Sequence, residues 1–414
     1  MTPYGNHAHS MEEMRNWSMI VGVAELRPTN VPKAKVLLVA SNAFSSLSIF
    51  NQDAADFRDL LIQMALSSST ASSQAVLFAL LAVASQYRDG LQSRAVQLKT
   101  AAISALAKSV ANGISSTTEA AQHVAAGMLL CTFESQTCSA TSGQWIWYIR
   151  GVKDVIKTNH LEKQTNNSFV TQLLDWVNYH EVIAQFSILH WRHGPVDSVF
   201  AKQLGIKGWE WILGPKEPQM SNRAYPPHRI LQFLSEIFNI LFQAFGQKGT
   251  TENLVESLRK LEGRASTIMK LSEGHVESSS EANTNAADMI ELYQMVAMIY
   301  LGRASESISG EPRNVQPFLD RAFALLQRMR TCELRFPLLM LGFEARTDEQ
   351  RIMILDLIRR AEENPYRRNL DCLRRSLRAL WIQEDLVSDL EFVPKYMDRL
   401  NAIMSQARYI PSLV

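Results

Sequence analysis

The segment Ala75 to Tyr87 is apolar almost all round its helical circumference. A helix without a wet face has to lie inside other elements, so this segment predicts a central helix. Its surroundings follow the same period. Phe57, Leu60, Leu61 and Met64 recur at spacings of three and four before the breaker run Ser67-Ser68-Ser69. Leu91 to Val110 continues as alanine-rich helix and stops near Asn112-Gly113. Ser116 and Glu119 then read as a capping box that starts a helix at Thr117. Further helical patterns cover 169–191, 229–245, 254–271, the series Met289, Leu292, Val296 and Ile299, 318–329 behind Pro317, 349–363, 369–385 and 393–407.

Residues 35–40 form the one short β-like run, and no fixed-period repeat is found. The expected fold is all-α, a large multi-helix assembly of about fifteen helices at the mean helix length. Residues 1–55 read as a partly irregular N-terminal segment and 56–414 as the helical body. Two excursions interrupt that body. One, 205–228, is broken by Gly205, Gly208, Gly214, Pro215, Pro218, Pro226 and Pro227; the other, 272–287, is polar and serine-rich.

The 414 residues are 46% hydrophobic, enough for one large core or two packed halves. Lys plus Arg number 42 against 41 Asp plus Glu, a net charge of +1. A chain that grips nucleic acid alone usually carries a clear basic excess, so this balance argues against an autonomous DNA binder. The four cysteines, Cys131, Cys138, Cys332 and Cys372, form no CxxC pair. Their number suits a reducing compartment, with Cys131 and Cys372 at core positions. No apolar run approaches the roughly 20 residues that cross a bilayer. Glu12, Glu13 and Arg15 before the short run at 19–23 make a poor secretory signal, so the expected setting is soluble and intracellular.

Catalytic patterns are missing. The phosphate-cradling glycine motifs, GxSxG and HExxH do not occur, nor does an aspartate-rich magnesium motif. His180, Glu181, His190 and His193 are the densest set of metal-ligand types. They read as polar residues closing a helix before Gly194-Pro195, because a zinc site needs three or four convergent ligands. No cofactor is expected. Arg359, Arg360, Arg367, Arg368, Arg374, Arg375 and Arg378 cluster near the C-terminus, among Glu362, Glu363 and Asp371. The acids cancel much of the field, so a solvated helix face is favoured over a phosphate-binding surface. Most tryptophans read as core anchors. Trp209 and Trp211, inside the Gly/Pro excursion, are candidates for a partner surface, together with Arg367, Arg368, Arg374 and Arg375.

Taken in order, these elements resemble the fungal-specific transcription factor domain, the helical regulatory domain that follows a zinc-cluster DNA-binding module. Met128-Leu129-Leu130-Cys131 resembles its LLC-like helix end. Trp145, Ile149 and Gly151 are similar to its W-x-x-H-L-x-G-A segment, with Tyr148 in place of histidine and Val152 in place of alanine. Residues 295–301 resemble its next helix. Phe336, Pro337, Gly342, Glu344, Ala345 and Arg351 follow its W-P-L-F-x-x-G-x-E-A…R pattern, and Trp381 to Asp385 its closing W-x-x-x-D. In this reading Trp145 anchors a core and Gly151 lets a neighbouring backbone approach.

The resemblance implies a nuclear transcriptional regulator and no catalysis. The six-cysteine zinc cluster of the family does not occur in these 414 residues. The expectation is therefore regulation through protein contacts, of a pathway gene cluster such as secondary-metabolite or trichothecene biosynthesis. Expected partners are another transcriptional regulator or a DNA-binding protein, with a small-molecule effector and a homodimer as further candidates. Two other classes stay open: an enzyme on a helical scaffold, resting on the histidines and the tryptophan-bearing loop, and an adaptor in a larger assembly.

Overall fold

The computed structural model describes residues 54–136, 142–164, 168–191, 226–245, 251–269, 281–363, 370–387, 395–407 and 410–414. Among these it contains fourteen α-helices and no strand: α1 (Ala54–Leu66), α2 (Ala71–Asp89), α3 (Ser93–Asn112), α4 (Thr117–Ser135), α5 (Trp145–Thr158), α6 (Ser168–His190), α7 (Pro226–Phe245), α8 (Thr251–Met269), α9 (Glu281–Ser309), α10 (Gln316–Arg328), α11 (Arg335–Glu344), α12 (Asp348–Glu362), α13 (Asp371–Val387) and α14 (Tyr396–Met404). The all-α expectation holds. The β-like run at 35–40 lies outside the described residues.

Local chemistry accounts for the helix ends. Thr70 caps α2 by accepting from the Ser73 amide at 3.3 Å. Gly90, at φ +73°, ends α2 and lets the chain turn back into α3. α4 begins at Thr117 as expected, but its box is displaced by one residue. Ser116 Oγ accepts from the Glu119 amide at 3.1 Å, while the Glu119 carboxylate reaches back to Ser115 N at 2.9 Å. The described ends of the two stretches read as excursions are helical. α7 starts at Pro226, where tandem prolines occupy positions whose N–H groups have no intrahelical acceptor anyway. α9 starts at Glu281, inside the polar run.

The chain divides into two compact units. The described part of unit 1 is residues 54–133, 147–164 and 168–174. α2 and α3 form its helical hairpin, and α1 packs on α2. Every residue from Ala75 to Tyr87 is buried except Phe78, which is half-buried. Buried polar groups set the register. Gln122 of α4 accepts from Ser72 Oγ at 2.7 Å and donates to the Met64 carbonyl at 3.2 Å, tying α4 to the ends of α1 and α2. Gln86 donates to the Phe133 carbonyl at 3.1 Å.

His123 lies beside these groups, buried, with Nε2 at 2.8 Å from Ser109 Oγ. Burial pulls its pKa down to about 4 from 6.5, against a smaller upward pull from Glu119. Between those two values the unfolded chain binds the proton and the folded chain does not. The stability gained from a neutral His123 is thus present above pH 6.5 and lost as pH falls towards 4, by up to roughly 3 kcal/mol. Unfolding measured from pH 7 to pH 4 should show this slope. His123→Gln should flatten it, and an unchanged slope in that variant would reject the assignment.

The described part of unit 2 is residues 134–136, 142–146 and 175–414 as resolved above. Its core is one apolar cluster drawn from α6 to α14 and the C-terminal residues Leu413 and Val414. α11 is its axis. All ten of its residues are buried, and it packs against α9, α10, α12 and α13. Phe186, Phe238, Tyr300 and Phe336 meet at ring-centroid distances of 4.9–5.8 Å, in edge or tilted geometry.

Candidate functional site

The motif residues take up distinct tasks. Trp145 opens α5 with no exposed surface, and its Nε1–H donates to the Ile410 carbonyl at 3.0 Å. Pro337 occupies the first turn of α11, where a missing N–H leaves no bond unmade. A Cβ built on Gly342 would overlap Leu377 Cδ2, so glycine lets α11 and α13 approach. Trp381 of α13 then donates its Nε1–H to the Gly342 carbonyl at 2.9 Å, which fixes that approach.

Ile149 is buried, as expected. Gly151 corrects the sequence reading. It is exposed, and a Cβ added there meets nothing within 4 Å. The close approach lies one helix earlier, at Gly127, where a Cβ would stand 2.5 Å from Val152 Cγ2. Gly127→Ala should therefore cost about 1–3 kcal/mol by overpacking. Gly151→Ala should be neutral or stabilise by up to about 1 kcal/mol, since a mid-helix glycine is entropically costly. Paired thermal melts check this; equal effects at the two glycines would contradict it.

His190 closes α6 as read, but it and His180 are buried. His190 has no exposed surface. Its Nδ1 lies 2.7 Å from Asn401 Oδ1 and its Nε2 2.6 Å from Tyr300 Oη. An amide oxygen only accepts, so Nδ1–H donates to Asn401 Oδ1, and Nε2 shares the second hydrogen bond with the Tyr300 hydroxyl. His180 Nδ1 lies 3.0 Å from the Trp176 carbonyl, one helical turn back. The pair thus serves hydrogen bonding in the core. No group of three or more His, Cys, Asp or Glu among the described residues is placed to hold a metal ion. His193 lies outside them.

The cysteines split. Cys131 and Cys332 are buried free thiols, and burial pushes Cys332 up to about 12. Cys372 departs from the core position expected of it: it is on the exposed side of α13 and is disulfide-bonded.

Four described arginines of the cluster are spent in ion pairs, and the fifth, Arg378, is exposed on α13. Arg359 meets Asp356 at 2.6 Å and also Glu363; Arg360 meets Asp356 at 3.0 Å. Arg374 meets Asp371 at 2.6 Å and Glu362 at 3.5 Å, and Arg375 meets Asp371 at 3.0 Å. These hydrogen bonds hold the Asp356 and Asp371 carboxyls below their ordinary range. The face is close to neutral, as the interleaved acids implied. Arg367, Arg368, Trp209 and Trp211 lie outside the described residues.

Sequence reading missed what stands beside these pairs. Ile352 on α12 and Ile382 and Leu386 on α13 are 63%, 60% and 74% exposed. The two helices are clamped by Arg351, which bonds Asp385 at 2.9 Å and stacks over the Trp381 ring at 5.7 Å. Each exposed aliphatic follows a bridging residue directly: Arg351, Trp381 and Asp385. Arg351 and Trp381 face in and the residue after each faces out, whereas Asp385 is itself exposed.

A second cluster of charge sits at the base of this clamp. Glu344, at the end of α11, takes a two-point bond from Arg303 of α9 at 2.9 and 2.8 Å. The guanidinium also reaches Glu306 at 3.1 Å and lies 5.4 Å over the Tyr396 ring. Hydrogen bonding to Glu344 raises Arg303 above its ordinary range. Glu384 of α13 meets Arg346 and Arg351, each at 3.5 Å, and Arg399 of α14. The arrangement offers no nucleophile–base pair; it binds five helices into one body.

No helix among the described residues is long and apolar enough to cross a membrane. The family model described as fungal specific transcription factor domain matches residues 40–404. "Transcription factor iacI" of Pestalotiopsis fici is 34% identical over 383 residues, covering 90% of this chain and 92% of that protein. No solved structure matches.

Proposed function

The chain belongs to the fungal specific transcription factor domain family, and from that premise we propose that it is a nuclear regulator that acts on its target genes through protein contacts. The observation that carries this reading is the α12–α13 face. Four of its arginines, Arg359, Arg360, Arg374 and Arg375, are occupied by Asp356, Glu362, Glu363 and Asp371, while Arg378 is exposed and Ile352, Ile382 and Leu386 stand in solvent. Such a face suits another transcriptional regulator, with an apolar helix of its own, better than a phosphate backbone. The class of pathway, a secondary-metabolite cluster such as that for trichothecenes, is supported by the family resemblance alone.

Deletion of the gene should change transcript levels across the biosynthetic cluster it controls, and unchanged transcripts would refute the regulatory reading. The purified chain, titrated with duplex DNA, should show no binding that falls steeply with salt. A steep slope would show phosphate neutralisation and overturn the protein-contact route. Ile382→Asp with Leu386→Asp should abolish the transcriptional effect while leaving the melting temperature within a few degrees, because surface changes are usually within about 0.5 kcal/mol.

A further inference from the structure

The outer row of α13 has a direction. Arg375, Arg378, Ile382 and Asp385 recur at spacings of three and four, with Leu386 beside the last, and all five are exposed. Along the helix the row runs from basic, through aliphatic, to acidic. α12 lies antiparallel beside it, for Arg351 bonds Asp385 at 2.9 Å at one end and Arg374 meets Glu362 at 3.5 Å at the other. The first turn of α12 therefore adds Asp348 and Glu349, both exposed, to the acidic end, one turn before Ile352. Arg346 stands at that end too, and is drawn to Glu384 at 3.5 Å. At the basic end Arg378 makes no ion pair or hydrogen bond among the described residues, and Arg375 stays 65% exposed beside Asp371.

This order selects the occupant. A uniformly acidic helix would satisfy Arg378 but meet Asp348, Glu349 and Asp385 with like charge, and a basic one would fail at the opposite end. The face needs a partner that is acidic where it is basic, aliphatic at the middle, and basic where it is acidic. A second copy of the same row, turned antiparallel, has that pattern. A two-fold axis sets each residue before the centre against the residue equally far beyond it. With the axis at Ile382, that isoleucine meets its own counterpart. Arg378, one turn before the centre, then stands level with Asp385 and Leu386 of the partner subunit. The same axis doubles the apolar contribution of Ile352, Ile382 and Leu386.

We propose that the α12–α13 face is a homodimer interface, with α13 packed antiparallel on α13 of a second copy about a two-fold axis at Ile382. The aliphatics supply the buried centre, and the Arg378–Asp385 contacts at either side fix direction and register. This rests on the reading of the face as a protein-contact surface and names its occupant.

Analytical ultracentrifugation of the intact chain over roughly 1–100 µM should show a monomer–dimer equilibrium. Ile382→Asp sets two carboxylates against each other on the axis and should leave a folded monomer. Arg378→Glu and Asp385→Arg should each weaken dimerisation at least tenfold, about 1.4 kcal/mol, because each creates like-charge contacts at both ends. An equimolar mixture of those two variants should dimerise again, since both contacts are then of opposite sign. A folding defect in either chain gives no such recovery. Glu349→Arg, which leaves Arg351 its partner, takes the place of Asp385→Arg should that variant not fold. A chain that stays monomeric at about 100 µM, or a dimer indifferent to Ile382→Asp and Arg378→Glu, would overturn the proposal. Sedimentation does not depend on transcription. A monomer that still loses its transcriptional effect with Ile382→Asp and Leu386→Asp would refute the second copy as occupant and leave the protein-contact reading standing.

Discussion

Trp145→Ala is expected to destabilise the chain by about 3–5 kcal/mol, the range for truncating a large buried aromatic. Two effects add. The indole has no exposed surface, so its removal leaves a cavity that the surrounding helices fill only in part. The Ile410 carbonyl also loses its donor in a buried setting, at a cost of about 1–3 kcal/mol. Trp145→Phe separates them, since it keeps much of the ring volume and removes the N–H. Denaturant unfolding of both variants should place the phenylalanine between wild type and alanine. A Trp145→Ala loss below about 1 kcal/mol would show that the residue is not the anchor its burial indicates.

How much of this was legible in the sequence follows from the range of each signal. The helical period at 75–87, the glycine stop at Gly113 and the proline at the start of α10 are local, and the structure bears them out. The capping box at Thr347 and Gln350 is equally local and is not among the helix starts read from the sequence. The start of α9 at Glu281 was misread. Glu281, Ala282, Ala286 and Ala287 are good helix formers, and an established helix propagates backwards into such a run at little cost. Asp288 then pairs with Arg328 at 2.8 Å.

Placing the glycines required more than a motif. Gly127 and Gly151 both sit in helices, and only the packing partner distinguishes them: Val152 faces Gly127, while Gly151 faces outward. The histidines were beyond local reading. His190 finds Asn401 across 211 residues and Tyr300 across 110, and no periodicity encodes such a meeting. The same holds for the carbonyls that Trp145 and Arg335 hold, at separations of 265 and 200 residues. A motif reports that a tryptophan is needed, and the fold reports what it holds.

Glu344→Ala carries the other large expected effect, about 3–5 kcal/mol and towards the lower end, because the Arg303 side chain keeps 21% of its surface exposed. The Glu344 side chain is only 1% exposed, and both its oxygens are used by Arg303. Removing it strands the guanidinium beside the Tyr396 ring, with Glu306, itself 38% exposed, as the remaining acid. The penalty is chiefly that of a half-desolvated cation left with one exposed acid, and not the worth of the pair itself. The consequence is a specific pattern of non-additivity. Arg303→Met should be costly alone, for it strands Glu344, yet the double variant Glu344→Leu with Arg303→Met should recover most of the loss by replacing the pair with apolar volume. Denaturant unfolding of the four proteins gives the cycle. Additive single losses would show that the two residues do not act as a pair, and that α9 and α11 are held by apolar packing alone.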